Sequence, residues 1–236
     1  MNGLLIVNKP SGMTSHDVVN TVRRITKVRR VGHTGTLDPL ATGVLVLMIG
    51  PATRLARFIG ECKKVYRAVV RLGEATATYD AEGDITERHA VHVTIKAIET
   101  ALDQFRGTIE QRPPMYSAIK VKGQKLYQLA RQGKEIERAL RPITIYQLDV
   151  LDWTSPNLML EVACSAGTYI RSLAHDLGQV LGCGAHLKAL TRTAVGDFGL
   201  DQSYTLETLR VWADEGRIEE ALLPPGAALS TLPAVQ

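Results

Sequence analysis

From Lys64 to Leu72 the chain has a period of two: Tyr66, Ala68, Val70 and Leu72, all apolar, share one face of an extended chain, and Val65, Arg67, Val69 and Arg71 share the other. Residues 94–105 follow a different period: Ile95, Ile98, Leu102 and Phe105 form a helical stripe that Gly107 closes. The order in which these two periods succeed each other limits the fold. Residues 4–7 and 44–49 are apolar runs of strand length. Residues 143–153 and 158–165 also read as strands, with Leu158, Leu160, Val162 and Cys164 pointing one way. Thr14 and Asp17 make a capping pair ahead of Val18, Val19, Val22 and Ile25, which recur at helical spacing. Residues 168–181 carry a second such stripe in Ile170, Leu173, Ala174, Leu177 and Leu181. Strands and helices are interspersed without a regular βαβ rhythm, which predicts an α+β fold with a mixed sheet.

Composition narrows the class further. At 236 residues, 45% hydrophobic and 22% charged, the chain suits one large globular domain. Its longest apolar run, residues 44–49, is far too short to span a membrane, and residues 4–7 are too few for a signal peptide. Cys62, Cys164 and Cys183 are odd in number and widely spaced, which points to a reducing cytoplasm rather than a disulfide framework. Charge is unevenly placed: residues 201–236 are net negative, while eight basic residues between Arg112 and Arg141 face only Glu135 and Glu137. Such an excess is the footprint of a polyanionic partner, or else a solvated surface. The prolines and glycine at 224–226 read as a linker-like end to a folded body of residues 1–223, with 224–236 as a short tail.

The loop between the first helix and the strand at 44–49 reads GHTGTLDPLATG, residues 32–43. It holds one carboxylate, Asp38, which Pro39 biases toward an extended backbone. Leu37 can anchor the loop in the core, and Gly32, Gly35 and Gly43 permit close approach of a ligand or another chain segment. Two readings stand from local geometry: an Asx-type turn, or a displayed nucleophile or general base. The loop has neither the lysine and spacing of a P-loop nor the dinucleotide fingerprint. His89 with His92, and Cys183 with His186, lack the four-ligand spacing of zinc sites. Ser172, His175 and Asp176 sit on one helix and cannot form a nucleophile elbow.

This loop resembles the catalytic motif of the bacterial tRNA pseudouridine synthase B family. The resemblance extends in order through NKPSGMTS (8–15), KVYRAVVRLG (64–73), ATATYDAEGD (75–84), RPPMYSAIKVKGQKLYQLAR (112–131), CSAGTYIRSLAHDLG (164–178) and AHLKALTRTAVGDF (185–198), essentially the whole chain. It implies a pseudouridine synthase fold, a mixed and largely antiparallel sheet flanked by helices with a central RNA-binding cleft. It implies isomerisation of uridine 55 in the T loop of tRNA without cofactor or metal; a monomer is expected. The family often carries a PUA-type RNA-binding domain beyond the point corresponding to Gln236. A related synthase acting on another RNA, and a tRNA-folding chaperone without turnover, are the rival readings.

By the same resemblance Asp38 is the catalytic aspartate, attacking either the ribose C1′ or C6 of the base. Arg171 is the cation that keeps it ionised in a dry pocket; its first-turn position, which the helix dipole disfavours, agrees with a specific anionic partner. Thr168 is expected to cap that helix. Tyr66 is expected to stack on the target uracil, although a plain core tyrosine fits its strand equally. His33 is expected to contact the RNA where the base leaves the loop, Lys9 to be a basic pocket residue, and Tyr169 and Leu190 to line the pocket. Asp80 is expected to orient Arg171 from behind. Arg23, Arg24, Lys27, Arg29, Arg30, Lys120, Lys122, Lys125 and Arg131 are expected to follow RNA phosphates; Thr191 stands where many members of the family have another arginine, which leaves Arg192 alone in LTRT and one phosphate contact fewer.

Overall fold

In a computed structural model the described residues are 1–117, 119–121, 123–130, 132–134 and 136–228. The elements run β1 (Gly3–Lys9), α1 (Ser15–Thr26), β2 (Val31–His33), β3 (Thr42–Ile49), α2 (Ala56–Glu61), β4 (Lys64–Leu72), β5 (Glu74–Thr76) and β6 (Ile85–Arg88). They continue with α3 (Ile95–Leu102), β7 (Gly107–Gln111), β8 (Lys120–Val121), β9 (Gln124–Lys125), α4 (Leu126–Ala130), β10 (Arg141–Thr154) and β11 (Asn157–Cys164). Last come α5 (Ile170–Val180), β12 (Ala185–Val195), β13 (Phe198–Gly199) and α6 (Leu206–Asp214). The fold is α+β, its sheet pairings mostly antiparallel with helices flanking them.

The chain divides into two compact units, Met1–Arg67 with Leu190–Gln236, and Ala68–Ala189. In the first, β1 and β3 pair antiparallel from Gly3↔Ile49 to Lys9↔Gly43. Both strands are buried almost throughout, which suits their unbroken apolar runs. β2 pairs with β3 at Val31↔Ile49 through His33↔Leu47, and the end of β12 runs parallel to β3 at Thr191↔Thr42 and Arg192↔Gly43. Leu4, Ile6, Val44, Val46, Met48, Ile59, Val195 and Phe198 form one core cluster. Pro225–Ala228 makes a 3-10 turn whose Ala228 is buried in that cluster, where the sequence suggested a linker. α1 starts at the expected capping box: Thr14 accepts from the Asp17 amide, and the Asp17 carboxylate accepts from the Thr14 amide.

In the second unit β7, β10 and β11 pair antiparallel, and β5 and β6 form a hairpin. Leu158, Leu160, Val162 and Cys164 face inward as their alternation requires. The helix expected over 94–105 is α helix only to Leu102, with Thr94 as its cap, and tightens to a 3-10 turn over Asp103–Phe105. Gly107 is the first residue of a strand, and Ile95, on the expected stripe, is exposed. Cys62, Cys164 and Cys183 are buried and form no disulfide among the described residues.

Candidate active site

The backbone on either side of Asp38 is held by residues 9–15, the end of β1, the start of α1 and the turn between them. The Ser15 hydroxyl accepts from the Leu37 amide at 2.8 Å and donates to the Leu37 carbonyl at 3.1 Å. One step later the Pro39 carbonyl accepts from the Gly12 amide at 2.9 Å and from the Lys9 ammonium at 3.2 Å. Leu37 is buried, as expected of the loop's anchor, and the Asp38 carbonyl closes a turn onto the Ala41 amide at 3.1 Å. A carboxylate between two pinned neighbours on a Pro-restricted step has few backbone directions open to it.

The loop's far end is held by β12. Thr42 and Thr191 bring their hydroxyl oxygens to 2.9 Å, and Arg192 Nε donates to the Val44 carbonyl at 2.7 Å. Gly43 has φ +99°, and any Cβ there would strike the Arg192 backbone carbonyl, so a larger residue would force the two strands apart. Arg192 is itself fully buried, with Nη1 beneath Gly35. It is therefore not a surface phosphate contact: its guanidinium braces the loop from within.

Lys9, Tyr66 and Leu190 are all buried in this first unit, and His33 is half-buried. Lys9 donates to Pro10 and Pro39 carbonyls, and the Leu190 carbonyl accepts weakly from Thr42. Tyr66 sits on the inward face of β4 beside Ala68, as its alternation predicts. Burial, reinforced by the positive charges of Arg192 and His16, holds the His33 imidazole below the ordinary histidine range.

Arg171 and Tyr169 lie in the second unit. The Arg171 guanidinium is buried, with Nη1 3.4 Å from Asp80 Oδ2 and Nη2 donating to the Tyr116 carbonyl at 2.7 Å. The Asp80 carboxylate also accepts from the Thr78 hydroxyl at 2.5 Å and the Glu82 amide at 3.1 Å. Asp80 thus stands where its motif leads one to expect it, against Arg171. Thr168 does not cap α5. The cap residue is Tyr169, and Gln111 embraces it, accepting from its amide at 2.8 Å and donating to its carbonyl at 3.0 Å. The Thr168 hydroxyl is buried and finds no partner among the described residues. Gln111 thus fixes the cap residue itself rather than the first-turn amides that a threonine cap would serve.

Of the basic residues expected on RNA phosphates, Arg24, Lys27, Arg29 and Arg30 are exposed. Arg23 is half-buried and turned onto the Val31 carbonyl. Lys122 and Arg131, and the side chains of Lys120 and Lys125, lie outside the described residues. Sequence reasoning misses Ser15, Gln111 and Arg192 as site-building residues, because each acts on a segment far away in sequence. Only the density of glycine and hydroxyl residues in their motifs hints at such contacts.

Residues 23–170 match the family model for the TruB family pseudouridylate synthase (N terminal domain), and residues 171–230 match that for the tRNA pseudouridylate synthase B C-terminal domain. The chain is 49% identical over 236 residues to the tRNA pseudouridine synthase B of Solibacter usitatus, covering all of this chain and 80% of that protein. Among solved structures it resembles a chain of a Cbf5-Nop10-Gar1 complex, with TM-score 0.77 and 32% identity, over 98% of this chain and 62% of that one. It also resembles a chain of an H/ACA RNP bound to a substrate RNA containing 2′-deoxyuridine, with TM-score 0.74 and 29% identity, over 98% of this chain and 62% of that one. A chain matched by both family models, and nearly half identical to a curated member along its whole length, belongs to the TruB family of tRNA pseudouridine synthases.

Proposed function

We propose that this enzyme converts uridine 55 in the T loop of tRNA to pseudouridine, with Asp38 as its nucleophile. The observation that carries the reading is the clamping of both neighbours of Asp38, Leu37 by Ser15 and Pro39 by Gly12 and Lys9. A reaction that must hold one carboxylate against a flipped nucleotide gains most from such a fixed geometry. The carboxylate attacks the nucleotide at the ribose C1′ or at C6 of the base. The glycosidic C–N bond breaks, the detached uracil turns, its C5 bonds to C1′, and the bond between the carboxylate and the nucleotide breaks, which returns Asp38 as the free carboxylate. The proton displaced from C5 leaves to solvent while N1 regains one, so no electrons are gained or lost overall and no redox cofactor is needed.

Tyr66 stacks on the target base in this scheme. Stacking worth about 1–3 kcal/mol offsets much of the few kcal/mol that extruding a base costs. Arg171 is the cation that favours an ionised acid, His33 and Lys9 contact the RNA, and Tyr169 and Leu190 line the base pocket. The exposed arginines after α1 follow phosphates of the T arm, and the enzyme works as a cytoplasmic monomer without metal. Tritium release from tRNA transcripts carrying 5-³H-uridine tests the reading. Asp38→Asn is expected to release none while still binding tRNA. Turnover by that variant would refute the nucleophile, release from another RNA alone would replace tRNA as substrate, and binding without release by the wild-type chain would leave a folding chaperone.

A further inference from the structure

Tyr79 combines two features that the proposed chemistry does not use. Its backbone lies in the left-handed region, φ +66°, which side chains other than glycine rarely adopt. Its ring stacks on that of His175, with centroids 3.8 Å apart and planes within 13°. The main chain of Tyr79 is tied on both sides, its amide donating to Thr76 at 3.2 Å and its carbonyl accepting from Leu187 at 2.9 Å. The residues that flank it both face Arg171: the Thr78 carbonyl accepts from Nη1 at 3.4 Å, and Asp80 pairs with the same nitrogen.

His175 lies one helical turn beyond Arg171 on α5, so the two side chains leave the same face of the helix. The contact is therefore reciprocal. Arg171 reaches from the helix into the turn at 78–80, and Tyr79 reaches from that turn back to the helix. Burial keeps the His175 imidazole below the usual histidine range, and its Nδ1 is buried without a partner among the described residues. An uncharged ring pressed flat on a tyrosine holds a fixed separation without drawing Arg171 away from Asp80.

We infer that Tyr79 is a positioning residue for the Arg171 guanidinium, its stack on His175 holding the strained 78–80 turn at the distance that Arg171 requires. The inference rests on the reading of Arg171 as the cation of the reaction. Strain at a non-glycine residue persists only where surrounding contacts enforce it, and here the enforcing contact and the beneficiary share one helix.

Steady-state kinetics of tritium release from a T-arm stem-loop test it, with thermal melting of each variant alongside. Tyr79→Phe keeps the ring and is expected to stay within about twofold of wild type. Tyr79→Gly relieves the backbone but removes the stack, and His175→Ala removes it from the other side. Both are expected to lower kcat by about tenfold or more with little change in KM, and His175→Phe to recover most of the loss. Wild-type kcat in Tyr79→Gly or His175→Ala overturns the inference, as does a rise in KM alone, which would make Tyr79 an RNA contact. Should Tyr79→Gly fail to fold, the His175→Ala and His175→Phe pair decides. Arg171→Met is run in parallel: full activity there refutes the role given to Arg171, whereas its loss beside unimpaired Tyr79→Gly and His175→Ala refutes only the present inference.

Discussion

Arg171 and Asp80 form an ion pair, Nη1 to Oδ2 at 3.4 Å, in which neither side chain exposes more than 6% of its surface. Removing one partner of so buried a pair leaves the other charged and unsolvated, at about 3–5 kcal/mol in comparable cases. Asp80→Asn keeps an oxygen for Thr78 and Glu82 but abolishes the charge. It is expected to cost about 3 kcal/mol in urea unfolding and to lower kcat by about tenfold or more. An unchanged urea midpoint would show that the other partners of Arg171, the Tyr116 and Thr78 carbonyls among them, hold it without Asp80.

Two glycines with positive φ separate conformational strain from collision. Gly12 has φ +81° and open space where a methyl group would stand, so Gly12→Ala is expected to cost only about 1–2 kcal/mol of left-handed backbone penalty. Gly43→Ala adds a collision with the Arg192 carbonyl and is expected to cost more than about 3 kcal/mol and most of the activity. Equal melting temperatures for the two variants would contradict the strand contact.

Burial pushes the Asp176 carboxyl up to about 6, against the weaker opposing influence of Arg112. The folded chain then binds a proton more tightly than the unfolded one. The stability this gives is complete below the unfolded carboxylate range near 3.8 and is lost as pH rises through about 6. Asp176→Asn is expected to remove that slope and to stabilise the protein at pH 7 by about 1 kcal/mol, a value reduced for the group's partial exposure. Melting curves across that pH range check it, and a variant less stable at pH 7 would contradict it.

His33 has the opposite sign. Burial, Arg192 and His16 hold its protonation below the usual 6.5, so in mildly acidic solution the unfolded chain takes up a proton that the folded one refuses. Stability present above pH 6.5 is expected to fall as the solution is acidified below it, and His33→Asn to flatten part of that fall. Imidazole NMR titration reads the shift directly, and a His33 midpoint at or above the ordinary value would contradict it.

How legible the molecule is depends on how local the causes are. The strand Lys64–Leu72 is readable because one face is wholly apolar from Tyr66 to Leu72 while Arg67 and Arg71 mark the other, and burial follows that period. The start of α1 is readable because Thr14 and Asp17 cap it within one turn. β12 escapes notice as a strand, since Lys188 and Ala189 are exposed in succession and break the period. Asp38 stands out by its setting, yet its bracing by Ser15 and Arg192 depends on segments that only the fold brings near. Arg192 reads as an RNA contact because arginines rarely lie in cores, and Thr168 as a cap because nothing local reveals that the cap falls one residue later, on a Tyr169 held by Gln111.

The pairing of Thr42 with Thr191 across 149 residues has a bearing on biosynthesis. While the ribosome is still translating the middle of the message, the aspartate loop exists but its parallel partner strand does not. Its clamp can close only after β12 leaves the exit tunnel. Nascent chains are expected to stay catalytically silent until then, so the newborn enzyme meets transcripts only with its loop already braced.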